Sequence, residues 1–212
     1  MRKQKLILIG GGGHCKACID VIECTEEYEI IGILDREDLV DTNVLDYKVI
    51  GTDDDILKYK QEGCQFLITV GQIKSAEIRK KIAQLLEQQD AIFATIISPR
   101  AHVSKYAQIG KGTIVMHGVT VNASAHIGTN CILNTGCDIE HDSIIQDHTH
   151  ISTYAVINGN CLIGNEVFVG SNATVSGNIN LGNNIVIGSG SVVLKNIDES
   201  GTYAGNPVKK IK

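Results

Sequence analysis

The stretch VFVGSNATVSGNINLGNNIVIG, residues 167–188, carries a branched aliphatic residue at every sixth position: Val169, Val175, Leu181 and Ile187. The same step runs back to Val103 and forward to Val193, so sixteen consecutive positions hold Val, Ile or Leu. Neither a helix nor a simple strand has a six-residue period. This period is typical of a solenoid, in which three short strands complete a coil and each coil covers the next.

A second register lies four residues after each aliphatic position and holds small or β-branched residues. Its members are Ala107, Thr113, Val119, Ala125, Cys131, Cys137, Ser143, Thr149, Ala155, Cys161, Val167 and Ala173. We expect both registers to face the interior, with glycine and asparagine between them forming the turns. At eighteen residues a coil, the pattern predicts about five coils.

Residues 1–97 show a different pattern, in which short apolar segments alternate with segments of helical periodicity. Strands are predicted for KLILIG, YEIIGILD, YKVIGT, QFLITVG and AIFATII, and helices for HCKACIDVIECTEE, DDDILKYKQEG and SAEIRKKIAQLLEQQ. Acidic residues are expected to cap the second helix, and Gly63 to end it. The alternation favours a small parallel sheet flanked by helices. Pro99 follows the last predicted strand, so we expect domains at 1–98 and 99–212.

Composition narrows the classes of partner. The formal net charge of −5 indicates no basic face, so neither nucleic acid nor a membrane surface is an expected partner. No apolar run approaches a signal-peptide core or a membrane span, and we expect a cytoplasmic protein. The seven cysteines are then expected to be free thiols. Cys15 and Cys18 form a C-x-x-C pair, which we attribute to helix packing.

A cluster of three histidines lies in GCDIEHDSIIQDHTHIS, residues 136–152, with acidic residues beside them. His141, His148 and His150 could be metal ligands, a catalytic base with helpers, or solvated surface residues. A histidine suits proton transfer near neutral pH, and an adjacent carboxylate can orient its ring. Residues eighteen apart stack on neighbouring coils. No further histidine lies above or below the three, since those positions hold Gly159, Ala123, Glu166, Asn130, Phe168 and Ile132.

The whole chain resembles the two-domain sugar acetyltransferases that include the bacillosamine-pathway N-acetyltransferases and the sialic acid O-acetyltransferases. The resemblance is carried by LIGGGGH, GILD, VGQIKSAEIRKKI, IEHDSIIQDHTHIS, FVGSNATVSGNINLGNNIVIGSGSVVLKNI and YAGNPVKKI. It implies a small Rossmann-like α/β domain that binds a nucleotide-sugar. It also implies a left-handed parallel β-helix of hexapeptide repeats that binds acetyl-CoA and carries catalysis. Most parallel crossovers are right-handed, so general rules would not predict a left-handed helix. The left hand is therefore implied by the resemblance alone.

The resemblance also implies roles for particular residues. His141 would be the general base and Asp142 the carboxylate that tunes it. Acetyl-CoA would contact His150, Gly159, Ser171 and Ser189, with a backbone N–H near Gly159 stabilising the oxyanion. The nucleotide-sugar would contact Gly12, Gly13, His14, Asp35, Arg36 and Gly71. The assembly would be a homotrimer with active sites between subunits, and no metal is expected.

Two features of the first domain depart from the family pattern, and Asp142 stands where relatives often carry glutamate. The bacillosamine enzymes have two acids where this chain has Asp35-Arg36, and a GNN motif where it has GQIKSAEIR. The glycine run alone also resembles a dinucleotide fingerprint, although Cys15 stands in the place of its third glycine.

The expected activity is therefore acetyl-CoA-dependent N-acetylation of the 4-amino group of a nucleotide-linked amino-dideoxy sugar, in surface-glycan biosynthesis. O-acetylation of a sialic-acid-type sugar is an alternative within the same class. A zinc enzyme of the carbonic anhydrase type, built on the same β-helix, is an alternative from another class. A non-catalytic scaffold that binds nucleotide-sugars is a further one.

Overall fold

The computed structural model describes residues 3–212, which form two compact units. The first contains the chain up to Gly71 together with Glu77–Ile96, and the second contains Gln72–Ala76 together with Ile97–Lys212. The short excursion at 72–76 was not expected from the sequence. It belongs to the second unit because Gln72 is buried there and hydrogen-bonds to His148 and His150.

The first unit is an α/β domain built on one five-stranded sheet with the order β3-β4-β2-β1-β5. Its elements are β1 (Gln4–Ile9), α1 (Gly13–Thr25), β2 (Tyr28–Leu34), β3 (Asn43–Val44), β4 (Tyr47–Gly51), α2 (Ile56–Gln61), β5 (Gln65–Ile68) and α3 (Glu77–Gln88). Short 3-10 helices cover Glu37–Leu39 and Asp53–Asp55. Strands β4, β2, β1 and β5 are parallel, whereas β3 pairs antiparallel with β4.

One local expectation for this unit was wrong, and another holds in part. AIFATII does not form a continuous strand of the sheet: only Phe93 bridges Phe66, and the pairing ends there. Capping at the start of the helical segment, which begins at Asp53, is shared between Thr52 and Asp55. The Thr52 side chain accepts a hydrogen bond from the Asp54 N–H, and the Asp55 carboxylate accepts one from the Thr52 N–H.

The second unit is a parallel β-helix followed by a hairpin. Its strands are β6 (Ile96–Ile97), β7 (His102–Val103), β8 (Gln108–Ile109), β9 (Ile114–Val115), β10 (Thr120–Val121), β11 (His126–Ile127), β12 (Ile132–Leu133), β13 (Asp138–Ile139), β14 (Ile144–Ile145), β15 (His150–Ile151), β16 (Val156–Ile157), β17 (Leu162–Ile163), β18 (Phe168–Val169), β19 (Thr174–Val175), β20 (Asn180–Leu181), β21 (Ile185–Ile187), β22 (Val192–Val193), β23 (Gly201–Gly205) and β24 (Val208–Lys210). From β6 to β22 every third strand joins the same sheet. Strands β23 and β24 extend one of the three, which gives sheets of six, five and eight strands.

The two inward registers are confirmed. Each of the sixteen aliphatic positions lies in one of β7 to β22, and all but Val103 and Ile109 in the first coil are buried. The small register contributes hydrogen bonds as well as volume. The fully buried Thr149 hydroxyl donates to the Gly164 carbonyl at 2.8 Å and accepts the Val167 N–H at 3.1 Å.

Turns between the strands repeat a left-handed backbone conformation. Fourteen residues spaced six apart, from Gly112 to Gly190, have positive φ. Ten of them are not glycine: Ser124, Asn130, Asp142, His148, Tyr154, Asn160, Glu166, Asn172, Asn178 and Asn184. Since L-residues adopt this region at a cost, the solenoid imposes it on them.

All seven cysteines are free thiols, as the sequence indicated. Cys24 is half-buried and the other six are buried, including Cys131, Cys137 and Cys161 in the small register. Burial raises the pKa of the Cys15 thiol to about 11. No helix in the described part of the chain is long and apolar enough to cross a membrane.

We predict that Thr149→Val destabilises the protein by about 3 kcal/mol, because it leaves a buried carbonyl and a buried N–H without their partner. The free energy of unfolding in urea, at one protein concentration, measures the effect. Thr120→Val, on an outward and half-buried strand position, is the control and should cost less than about 0.5 kcal/mol. Equal losses in the two variants would contradict a hydrogen-bonding role for the register.

Candidate active site

His141 and Asp142 form a hydrogen-bonded pair at the turn that follows β13. His141 Nδ1 lies 2.8 Å from Asp142 Oδ2. Since the carboxylate can only accept, Nδ1 carries the proton and Nε2 presents its lone pair. The His141 side chain is 63% exposed, so Nε2 is open to a ligand. A neutral imidazole held in this tautomer is suited to take a proton.

Nearby carboxylates increase the basicity of His141. The hydrogen bond to Asp142 raises the pKa of His141 above its ordinary value, and the charges of Asp142 and Glu140 act in the same direction. Glu140 is held in place by the Asn122 amide, which donates to Glu140 Oε2 at 3.1 Å across one coil.

Gly159 lies one coil beyond His141 and leaves room for its ring. A Cβ atom at Gly159 would lie 2.8 Å from both Cε1 and Nε2 of His141, closer than such atoms can approach. Among residues 3–212, no acceptor is bonded to the Gly159 N–H. The turn therefore places a basic nitrogen next to a backbone donor, as acyl transfer through an oxyanion requires.

His150 lies in β15 and is buried, with a role different from that of His141. Its Nδ1 donates to the Gln72 carbonyl at 2.6 Å, so Nε2 is the acceptor and takes the Asn134 amide N–H at 3.2 Å. Its ring packs edge-on against Phe168 at 5.1 Å between centroids. Both nitrogens are therefore engaged, and His150 is fixed as a neutral residue that orients the Asn134 amide.

The two serines expected to contact acetyl-CoA lie on neighbouring coils, after β18 and β21 of the eight-stranded sheet. Ser171 Oγ lies 3.0 Å from Ser152 Oγ, and Ser189 is exposed. His150 belongs to the same sheet. His141 and Gly159 instead follow strands of the six-stranded sheet. The expected cofactor residues thus fall at two different corners of one β-helix.

In the first unit, the expected nucleotide-sugar residues follow the carboxyl ends of parallel strands. The Asp35 carboxylate accepts the Gly11 N–H at 2.5 Å and the Arg36 N–H at 2.7 Å. Asp35 therefore fastens the glycine turn to the end of β2. Gly12 and Gly13 have open space where a side chain would be, and a Cβ at Gly71 would lie 3.5 Å from His14 Cβ.

A cavity of about 690 Å³ opens beside this turn, and we call it the first-unit cavity. Of the six residues expected from the sequence, only Asp35 and Arg36 line it. The rest of its lining was not anticipated: Ile9, Gly10, Leu34, Glu37, Thr52, Asp53, Asp54, Val70, Ile78, Lys81, Ile82, Gln84, Leu85 and Gln88. The sequence offered one indication that Thr52 and Asp53 belong to this lining. They directly follow β4 just as Asp35 follows β2, and ligands bind at such strand ends.

The described residues, 3–212, contain no group of three His, Cys, Asp or Glu side chains placed to hold a metal ion. In the cluster, His141 pairs with Asp142 and His150 with Gln72 and Asn134. Two of the three histidines therefore have protein partners for their ring nitrogens.

Comparison with known proteins relates this geometry to an activity. Residues 5–86 match the family described as the PglD N-terminal domain. The acetyltransferase domain of PglB from Neisseria gonorrhoeae, solved with acetyl coenzyme A, is 30% identical with a TM-score of 0.91, over 99% of this chain and 100% of that chain. A mutant of perosamine N-acetyltransferase from Caulobacter crescentus, solved with CoA and GDP-perosamine, is 27% identical with a TM-score of 0.92, over 98% and 97%.

WeeI from Acinetobacter baumannii shares the fold at 19% identity, with a TM-score of 0.86 over 99% of this chain and 100% of that chain. A search of curated protein sequences found no match.

These similarities define the class: an acetyltransferase with a small α/β domain and a left-handed β-helix, which confirms the predicted fold and enzyme class. Within that class, the chain belongs to the PglD/NeuD-like family of sugar N-acetyltransferases.

We predict that Asp142→Asn lowers the pKa of His141, because it removes the charge while leaving an oxygen to accept the Nδ1–H. NMR titration of the His141 ring measures this directly. The pKa is raised in the native protein, so His141 becomes neutral at a lower pH in the variant. An unchanged titration would show that Asp142 does not tune the ring.

We predict that Gly159→Ala reduces acetyl transfer by about 100-fold, because the methyl group displaces the His141 ring by roughly 1 Å. Steady-state kcat measures the loss, and an unchanged melting temperature shows that the coil is intact. In a His141→Ala background the same substitution should have no further effect. An additive loss there would mean that Gly159 does not act through His141.

Proposed function

We propose that the protein transfers the acetyl group of acetyl-CoA to the 4-amino group of a nucleotide-linked amino-dideoxy sugar. The Neisseria relative was solved with acetyl-CoA, and the Caulobacter one with CoA and GDP-perosamine. In this chain, the observation that carries the proposal is the open Nε2 of His141 beside the unengaged N–H of Gly159.

The reaction uses these groups in sequence. The lone pair of the sugar amine attacks the thioester carbonyl, which forms the C–N bond and places negative charge on the carbonyl oxygen. The Gly159 N–H donates to that oxygen, a contact worth about 3 kcal/mol in comparable sites. His141 Nε2 takes the amine proton, the C–S bond breaks, and the proton passes to the departing thiolate.

Asp142 assists by holding the Nδ1–H and stabilising the imidazolium that forms. His150 acts indirectly, since its nitrogens are occupied by Gln72 and Asn134. In the proposed site, it keeps the Asn134 amide in place beside acetyl-CoA.

We propose a homotrimer with active sites between subunits. The expected cofactor residues of one chain lie at two different corners of the β-helix, at Gly159 and at Ser171 with Ser189. A molecule in a groove between two copies can touch one corner of each. Because acetyl-CoA is a cytoplasmic cosubstrate, we also propose a cytoplasmic location, in a pathway that makes surface glycans.

We predict that His141→Ala loses activity by 10²- to 10⁴-fold, the usual contribution of a general base. CoA-thiol release is measured with acetyl-CoA and a panel of UDP-, dTDP-, GDP- and CMP-linked 4-amino-4,6-dideoxyhexoses, beside free and CMP-linked sialic acids.

His126→Ala removes an exposed histidine from another face and is the matched control, with activity expected within about twofold. Near-normal turnover by His141→Ala would contradict the role of the base. Turnover of the native protein on sialic acids alone would move it to O-acetylation.

A further inference from the structure

The first-unit cavity has the volume of a nucleotide site, and its lining combines apolar side chains, two cations and four carboxylates. Its volume of about 690 Å³ lies within the usual range for ligand pockets, 300–1,000 Å³. One wall is formed by apolar side chains of α3, Ile78, Ile82 and Leu85, on which a flat base can lie. Arg36 and Lys81 also line the cavity and supply positive charge.

The two cations are available to an anionic ligand. Arg36 pairs with Asp38 at 3.3 Å and Lys81 with Glu77 at 2.9 Å, and all four side chains are exposed. Exposed pairs of this kind contribute little to stability. A diphosphate can therefore replace either carboxylate at small cost.

Asp53 is the unusual member of the lining. It directly follows Thr52. The Asp55 carboxylate accepts the Thr52 N–H, so Asp55 is used in capping the 3-10 helix. In the described chain, no donor is bonded to the Asp53 carboxylate. Partial burial raises the pKa of Asp53, and repulsion from Asp35 and Asp54 adds to the effect. Such a carboxylate gains from a ligand that brings N–H groups.

Among the common nucleobases, guanine offers the complementary edge. Its N1–H and N2–H groups are adjacent and parallel, and together they match the two oxygens of a carboxylate. Uracil and thymine present a single N3–H between two carbonyl oxygens, which a carboxylate repels. Cytosine and adenine present one amino group beside a ring nitrogen that only accepts. A carboxylate therefore favours guanine over the other bases.

We propose that Asp53 reads the Watson–Crick edge of guanine and that the acceptor is a GDP-linked sugar. This inference rests on the proposed function, because it assumes that the first unit holds the nucleotide. The base lies against the α3 wall, its two N–H groups donate to Asp53, and Arg36 and Lys81 face the diphosphate. Asp35 does not read the base, since its oxygens hold the backbone of the glycine turn.

Isothermal titration of the full-length protein with GDP, UDP, dTDP and CDP tests the proposal. We expect GDP to bind the native protein at least tenfold more tightly than the pyrimidine nucleotides. Asp53→Asn should weaken GDP binding by about 10- to 100-fold, the value of hydrogen bonds to a charged group. UDP binding should stay within threefold of its native value.

Asp46→Asn is the matched control. Asp46 is an exposed carboxylate of the same unit that does not line the cavity, so its loss should leave GDP binding within threefold. Tightest binding of UDP or dTDP, or equal losses from the two substitutions, would overturn the guanine assignment and leave the proposed activity standing. Binding of no nucleoside diphosphate, with turnover on a sugar that lacks a nucleotide, would overturn both.

Discussion

Hydrogen bonding between residues about eighteen positions apart is the constraint on which the second unit depends. Ile132 pairs with His150, and His150 with Phe168, so each coil satisfies the backbone of the next. This ladder requires six residues for every side of the coil. The same requirement aligns the aliphatic column, the small register of Thr149 and its equivalents, and the left-handed residue in each turn. A change in the length of one turn would shift all three.

The catalytic pair proposed here is a product of that repeat. Asp142 occupies the left-handed position of its turn, with φ of 61°. Aspartate is one of the few L-residues that tolerate this region readily. The turn directs its carboxylate to Nδ1 of the preceding His141, while the next coil supplies Gly159 beneath the ring. The pair is thus held by the scaffold instead of a mobile loop, as a preorganised site requires.

The sequence predicts those parts of the molecule that depend on spacing. The strands of the β-helix followed from the six-residue step, and the stacking of His141 on Gly159 followed from the eighteen-residue coil. Other contacts depend on backbone atoms, which no residue type reveals. The carbonyl of Gln72 sets the tautomer of His150, and the N–H groups of Gly11 and Arg36 occupy the carboxylate of Asp35. Asp53 was overlooked because, in a run of three aspartates, nothing in the sequence separates the two that line a cavity from the one that caps a 3-10 helix.

The distribution of the cysteines has a practical consequence. Six of the seven thiols are buried in the cores of the two units. Among the described residues, Cys24 in α1 is the single cysteine that is partly exposed to solvent. Thiolates react and buried thiols stay protonated, so alkylating reagents should discriminate strongly between them. The native protein behaves in this respect as a single-cysteine variant. A fluorophore or a spin label can be attached to the α/β domain without removing any natural residue.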